Sequence, residues 1–102
     1  MENLSISKEY SNDFCFGGEI VRWSEMDKTR DVKGIITVKG KSHNEVSTYD
    51  SYCEVPIYFR ENAWNDLCSK KEKYDYVELC GHFEQSATRQ NPIKFMCDMV
   101  VA

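Results

Sequence analysis

Residues 51–85, SYCEVPIYFRENAWNDLCSKKEKYDYVELCGHFEQ, carry two alternating segments separated by a segment with helical spacing. In the first of them, Ser51–Arg60, every second residue is apolar, which is typical of a strand with one buried face. The buried side chains would be Cys53, Val55, Ile57 and Phe59. The opposite face would then carry Tyr52, Glu54, Pro56 and Tyr58. Proline cannot donate to a ladder, so Pro56 predicts an open edge or a bulge in this strand.

The middle segment predicts the single helix of the chain, from Asn62 to Lys73. Asn62 is a residue type that caps helix N-termini, and lysines gather near the predicted C-terminus, where the helix dipole favours cations. The positions at helical spacing are Trp64, Leu67, Cys68 and Lys71. We expect Trp64 to face the core, and the lysine run to be a solvated helix end.

Similar alternation predicts four further strands, at residues 13–23, 32–41, 76–85 and 94–101. Gly17-Gly18 predicts a bulge inside the first of them. The order is three strands, one helix and two strands. An all-β, five-stranded OB-type barrel has one helix between strands 3 and 4, and we predict that fold. An SH3-like barrel is the nearest alternative, but it lacks a full helix there.

A chain of 102 residues predicts one domain over residues 1–102, with residues 1–12 as a polar arm. Hydrophobic residues make up 41%, enough for one core without disulfides or metals. No apolar run has the ~20 residues of a membrane helix, and the N-terminus does not resemble a signal peptide. Five widely spaced cysteines form a poor disulfide framework and lack zinc-site spacing. These features predict a cytoplasmic protein with reduced, buried or half-buried cysteines.

The net charge is −4, which is unusual for a nucleic-acid binder, but the charge is unevenly distributed. Residues 22–41 contain six basic and three acidic residues, and residues 86–102 contain two basic residues and one acidic residue. In an OB barrel these segments fall on strand 2 and on the loops at residues 24–31 and 86–93, where such folds bind oligonucleotides. The basic segments of an acidic chain therefore coincide with the expected groove.

Motifs of catalysis are missing from the sequence. There is no nucleophile elbow, P-loop or H-E-x-x-H motif. His82 and Glu84 share one face of the predicted fourth strand, but no nucleophile accompanies them. The sequence therefore predicts no enzyme activity, no metal site and no cofactor.

The second half resembles the bacterial single-stranded DNA-binding protein family. The stretches that carry the resemblance are YCEVPIYF (52–59), YVELCGHFE (76–84) and MCDMVV (96–101), with ITV (36–38) similar to the family's second strand. The aromatic-Cys-polar-apolar-Pro pattern of residues 52–56 is most similar to the primosomal replication protein B branch, whose members are small dimers. The resemblance implies an OB fold, single-stranded DNA binding and a role in the primosome or elsewhere in DNA replication.

The resemblance places Tyr52 and Tyr58 at base-stacking positions of strand 3. Together with the basic segments it gives the candidate contacts Arg22, Trp23, Arg30, Lys33, Lys39, Lys41, Tyr52, Tyr58, Arg89 and Lys94. Trp23 at a strand end could stack on a base or be buried.

We expect a non-catalytic protein that binds single-stranded DNA, or RNA, with little sequence preference. It would associate as a homodimer or tetramer through exposed aliphatics such as Ile35 or Val100, and could contact replication or recombination proteins. The alternative is an OB-fold protein-interaction subunit, which Glu54 and the acidic charge favour.

Overall fold

Five strands form a closed barrel in the order β1-β2-β3-β5-β4. The computed structural model describes residues 11–42, 51–87 and 93–102. Its elements are β1 (Phe14–Glu25), β2 (Gly34–Ser42), β3 (Ser51–Phe59), α1 (Glu61–Lys70), β4 (Tyr76–Gln85) and β5 (Ile93–Val100). Neighbouring strands pair antiparallel, except for a short parallel pairing of β3 with β5. The predicted all-β OB-type barrel, with its helix between strands 3 and 4, is confirmed.

The core lies inside this barrel and combines the inward-facing residues of all five strands with Trp64 and Leu67 of α1. In β3, exposure alternates as predicted, and Ile57 and Phe59 are fully buried. The predicted core position of Trp64 is also confirmed, since this side chain is 6% exposed. The buried cluster consists of Ile20, Ile36, Val38, Ile57, Phe59, Trp64, Leu67, Val77, Leu79, Cys97 and Val100.

A bulge in β1 lies later than the sequence predicted. Its register with β2 shifts between Ile20 and Arg22, not at Gly17-Gly18. The bulged residue inverts the alternation, so that Ile20 and Trp23 both face the barrel interior. Gly18 instead marks a close approach of two strands, because a Cβ there would overlap the carbonyl oxygen of Lys39.

Pro56 is accommodated without a bulge. The register of β3 with β2 is continuous from Ser51 to Phe59. The pairing of β3 with β5 begins only at Ile57, so Pro56 lies just before the first residue of β3 that pairs with β5. This partial pairing is the open edge that the sequence predicted for Pro56.

The bounds of the helix differ from the prediction. Asn62 lies inside α1, and the N-cap position is Arg60, which makes no side-chain cap hydrogen bond. The helix ends at Lys70, three residues earlier than predicted. Arg60 is the single residue between β3 and α1, so it occupies the cap position, and its side chain bonds Asp31 and Glu84 instead of the helix end.

Two further expectations are wrong in part. Val100 is buried in the core, with 4% exposure, because a second bulge redirects β5, so this side chain is not a surface aliphatic. Cys15 and Cys68 are exposed, not buried or half-buried, because Cys15 lies on the outer face of β1 and Cys68 on the solvent side of α1. Within the described ranges, no helix is both long and apolar enough to cross a bilayer.

The second bulge requires glycine at position 81, and this requirement can be tested. Cys80 pairs with Met99 and Gly81 with Cys97, so Asp98 is the extra residue. A Cβ at Gly81 would overlap the backbone carbonyl oxygen of Met96. We expect Gly81→Ala to lower the free energy of unfolding by about 1–3 kcal/mol, as overpacking does, in urea denaturation. Gly17→Ala is the matched control, because the nearest atom there, the Tyr76 hydroxyl at 2.9 Å, can move; equal losses at both sites would contradict this reasoning.

Candidate nucleic-acid interface

The outer surface of β2 and β3 brings together four of the predicted contact residues. Lys41 pairs with Tyr52 across the two strands, and Lys39 lies two residues before Lys41 in β2. Tyr58 lies near the other end of β3, opposite Ile35. We call the surface formed by Lys39, Lys41, Tyr52 and Tyr58 the β2–β3 face. Its existence depends on the alternation of β3, which the sequence predicted correctly.

Tyr52 is the more accessible of the two tyrosines, with 60% of its surface exposed. The ammonium nitrogen of Lys39 lies 5.3 Å from the centre of the Tyr52 ring. This cation–π contact holds the lysine beside the ring and leaves much of the tyrosine open to solvent. A base stacked on Tyr52 would therefore have cations close to its phosphate.

Tyr58 forms a second pair of the same kind with a residue from another strand. Lys94 of β5 places its ammonium nitrogen 5.4 Å from the centre of the Tyr58 ring. Both side chains are half-buried. Tyr52 and Tyr58 are six residues apart, or about 20 Å along a strand. The β2–β3 face thus presents two aromatic–lysine pairs, and a single strand would need several nucleotides to reach from one pair to the other.

Acidic side chains interrupt this surface. Lys39 is paired in register with Glu19 on β1 and with Glu54 on β3. Both glutamates are exposed. Carboxylates beside the central lysine repel a phosphate backbone and reduce the attraction that the lysines exert on it.

The remaining predicted residues are dispersed. The β1 bulge places Arg22 on the outer surface beside Thr37, one row from Lys39. Arg30 is exposed in the β1–β2 loop. The Lys33 ammonium group donates to the carbonyl oxygens of Lys28 and Arg30, at 2.8 and 2.6 Å, and so stabilises that loop. Arg89 lies outside the described residues.

Trp23, for which the sequence left both stacking and burial open, is half-buried. Its ring packs against Trp64, with centroids 5.1 Å apart, on the edge of the core. This tryptophan therefore connects β1 to α1. Nothing in this packing brings Trp23 to the β2–β3 face.

Tyr76 is an exposed aromatic residue that the sequence analysis did not select. It shares a shallow groove with Tyr52 and Lys41, floored by Gly17 and Gly18. Tyr76 is 58% exposed. The alternation of β4 places it on the outer face with Glu78, which is a usable signal. Its proximity to Tyr52, however, depends on how β1, β2 and β4 are placed around the barrel.

A network of charged side chains lies elsewhere on the barrel, and sequence reasoning found only part of it. Arg60 donates two hydrogen bonds to Glu84, at 2.6 and 2.8 Å, and one to Asp31 at 2.7 Å. His82 bonds Glu84 through Nε2 and Asp98 through Nδ1. Ionised carboxylates only accept, so this arrangement favours the protonated imidazole, which donates from both ring nitrogens.

The pKa values of this network follow from those contacts. Asp98 and then Glu84 raise the pKa of His82 above its ordinary value. Arg60 and then His82 lower the pKa of Glu84 to about 2. The carboxylates of Asp31, Glu84 and Asp98 are paired with Arg60 or His82, so we interpret the network as structural. We call it the clamp, because it links β4, β5 and Arg60. In the described parts of the chain, no group of three or more His, Cys, Asp or Glu side chains is placed to hold a metal ion.

The clamp predicts a pH dependence of stability. The raised pKa of His82 means that its contribution is complete below pH 6.5 and is lost as the pH rises through the folded-state pKa. Glu84 contributes above pH 4.5 and loses its contribution as the pH falls toward 2. Between pH 6 and 9 we expect the melting temperature of the native chain to fall by a few degrees more than that of His82→Gln, as for a pair worth about 1 kcal/mol or less. If the melting temperatures of the two proteins fall by the same amount over this pH range, the role assigned to His82 is wrong.

Comparison with known proteins gives matches in structure alone. No family model matches the sequence, and no curated protein matches it significantly. A small single-stranded DNA-binding protein from Mycoplasma pneumoniae superposes with a TM-score of 0.67 at 15% identity, covering 91% of this chain and 88% of that one. The SSB domain of a Synechococcus protein gives a TM-score of 0.57 at 8% identity, covering 90% of this chain and 96% of that one. The fold is shared with single-stranded DNA-binding proteins.

Proposed function

We propose that this chain is a non-catalytic protein that binds single-stranded DNA with little sequence preference. Binding would combine base stacking on Tyr52 and Tyr58 with phosphate contacts from lysines of the β2–β3 face and from Lys94. Proteins that bind single strands without sequence preference use this combination, because every base has a face that can stack on an aromatic ring.

One observation carries the proposal: each tyrosine of the β2–β3 face has a lysine ammonium group within 5.4 Å of its ring centre. The second lysine comes from β5, so the pairing at Tyr58 is produced by the fold. Support also comes from the structural neighbours, both named for single-stranded DNA binding or as an SSB domain. Arg22 lies on the adjoining outer surface of β1 and extends the basic surface by one strand.

The finer assignment follows the sequence resemblance. We place the protein in DNA replication, repair or recombination in the cytoplasm, with the primosome as the favoured assembly.

We also propose a homodimer. A single OB fold binds roughly 4–16 nucleotides, and a homodimer would extend that site. The half-buried Ile35 at the edge of the β2–β3 face remains a candidate for the contact. Sedimentation equilibrium of the full chain measures the assembly directly, and a monomer mass would contradict this part.

Fluorescence anisotropy with labelled oligothymidine tests the proposed function. We expect saturable binding that weakens steeply as salt increases, since lysines displace counterions from phosphates. An oligouridine of equal length measures the preference for DNA over RNA. Non-specific DNA affinities commonly lie at about 1–100 µM. Absence of binding at ~50 µM protein in low salt would contradict the proposal and favour an OB-fold protein-interaction subunit.

The opposite charges on the β2–β3 face give a paired prediction. Lys39→Ala removes one phosphate contact, so the slope of log affinity against log salt should become shallower by about 0.7. Glu54→Gln removes the neighbouring carboxylate and should strengthen binding about two- to threefold at low salt, with the gain fading as salt screens it. Salt titrations of both variants measure these changes. If the two substitutions change affinity in the same direction, DNA does not pass over this face.

A further inference from the structure

Two cysteines that are 65 residues apart in sequence meet on the outer surface of the barrel. Cys15 of β1 pairs directly with Cys80 of β4 in an antiparallel register. Their sulfur atoms are 2.7 Å apart. The β1–β4 pairing is one of the five strand contacts that close the barrel. The two thiols therefore lie on opposite sides of a single barrel seam.

The geometry of this pair suits a covalent bond. Directly opposed residues in antiparallel strands have Cα atoms about 4.5–5.5 Å apart, which falls within the range of about 4.4–6.8 Å found in disulfides. The side chains already face each other, and the sulfurs need to approach by only about 0.7 Å to reach a bonded distance. Neither strand has to change register.

Access to the pair is also adequate. Cys15 is exposed and Cys80 is half-exposed, and both line a shallow depression with Tyr76 and Val101. The hydrogen bond that Cys80 shares with Cys15 is the main cause of a raised pKa at Cys80. Cys80 thus remains a thiol beside its more accessible partner. By contrast, Cys97 is buried, and its pKa is raised to about 12 by burial.

We propose that Cys15 and Cys80 form a reversible thiol–disulfide site whose oxidant is a hydroperoxide. The Cys15 thiolate attacks the peroxide oxygen, the O–O bond breaks, and Cys15 becomes a sulfenic acid while the leaving oxygen departs as water or an alcohol. Cys80 then attacks the Cys15 sulfur, an S–S bond replaces the S–O bond, and a second water leaves. The two thiols lose two electrons, and the peroxide gains two. A small dithiol reverses the change.

Oxidation would fix the seam between β1 and β4. The bond joins residues 15 and 80 and closes a loop that contains β2, β3 and α1. Cross-links that close long loops constrain the unfolded chain most strongly. The oxidised form should therefore melt at a temperature about 10 °C or more above the reduced form, in a domain of this size.

The experiment is mild oxidation of the folded full chain with hydrogen peroxide, followed by alkylation, intact-mass measurement and peptide mapping. We expect the loss of two alkylatable thiols at the mass of a single chain, with no cross-linked pair of chains. A linked peptide pair containing Cys15 and Cys80, the higher melting temperature and full reversal by dithiothreitol should accompany it. A chain that keeps five reactive thiols would overturn the proposal. So would sulfinic acid at Cys15, or any other principal pairing.

Matched variants separate this site from general cysteine oxidation. Cys15→Ser and Cys80→Ser should each abolish the two-thiol loss and the rise in melting temperature. Cys68→Ser, at an exposed cysteine on α1, should leave both unchanged. If Cys68→Ser prevents the change while Cys15→Ser and Cys80→Ser do not, Cys68 forms the bond and the proposal fails. Oxidation of the chain in urea should give mixed pairings, and an identical Cys15–Cys80 yield there would show that the fold does not direct the bond.

Discussion

Replacing Tyr58 with alanine is expected to weaken the binding of single-stranded DNA about tenfold at every salt concentration. A base stacked on an aromatic ring contributes about 1–3 kcal/mol, and this contribution depends little on salt. Tyr52→Ala should have a similar effect because its ring is more exposed. The double variant should lose about 100-fold in affinity, which anisotropy titrations at two salt concentrations would measure.

Conservative variants make this expectation specific. Tyr52→Phe and Tyr58→Phe keep the rings and should retain the affinity within about twofold, since stacking depends on the ring and not on the hydroxyl. The half-buried Tyr58 also packs under Lys94, so melting curves must accompany its titrations. Unchanged affinity in a folded Tyr52→Ala/Tyr58→Ala double variant would exclude the β2–β3 face as the stacking surface.

Replacing Trp64 with alanine should produce the largest loss of stability in the chain, about 3–5 kcal/mol, as for other large aromatic residues in cores. Trp64 attaches α1 to the barrel through Trp23 and Phe59, with ring centroids 5.1 and 5.7 Å away. A domain of this kind has a total stability of about 5–15 kcal/mol. Urea denaturation should therefore show a large shift of the midpoint, or a chain that is partly unfolded in water.

A second substitution tests whether this packing is described correctly. A Cβ built at Gly34 would overlap the Trp64 ring, and the three nearest atoms all belong to that ring. Gly34→Ala should therefore be destabilising in the native chain and nearly neutral in a Trp64→Ala background. Such a double-mutant cycle measures the coupling of two residues in contact. Additive losses would show that Gly34 is required for a reason other than space for the indole.

The sequence by itself determined the features that depend on local periodicity. Alternation every second residue fixed which side of β3 and β4 is buried, and so placed Tyr52 and Tyr58 outside. Helical spacing grouped Trp64 and Leu67, the two buried residues of α1, although the exposed Cys68 shares that spacing. These predictions succeeded because a side chain's direction within a strand or helix depends only on its immediate neighbours. The element order was then sufficient to choose an OB-type barrel.

The tertiary structure alone decided what depends on the register between distant strands. The bulge after Ile20 turns Trp23 inward and Arg22 outward. The local sequence pattern does not predict a bulge at this position. Register also brings Cys15 opposite Cys80, Lys94 over Tyr58, and Arg60 onto Glu84. The physical reason is that a shift of one residue exchanges the two faces of a strand, while register is set by the packing of the whole barrel. The composition of the β2–β3 face thus follows from local sequence, whereas its geometry depends on the packing of the whole barrel.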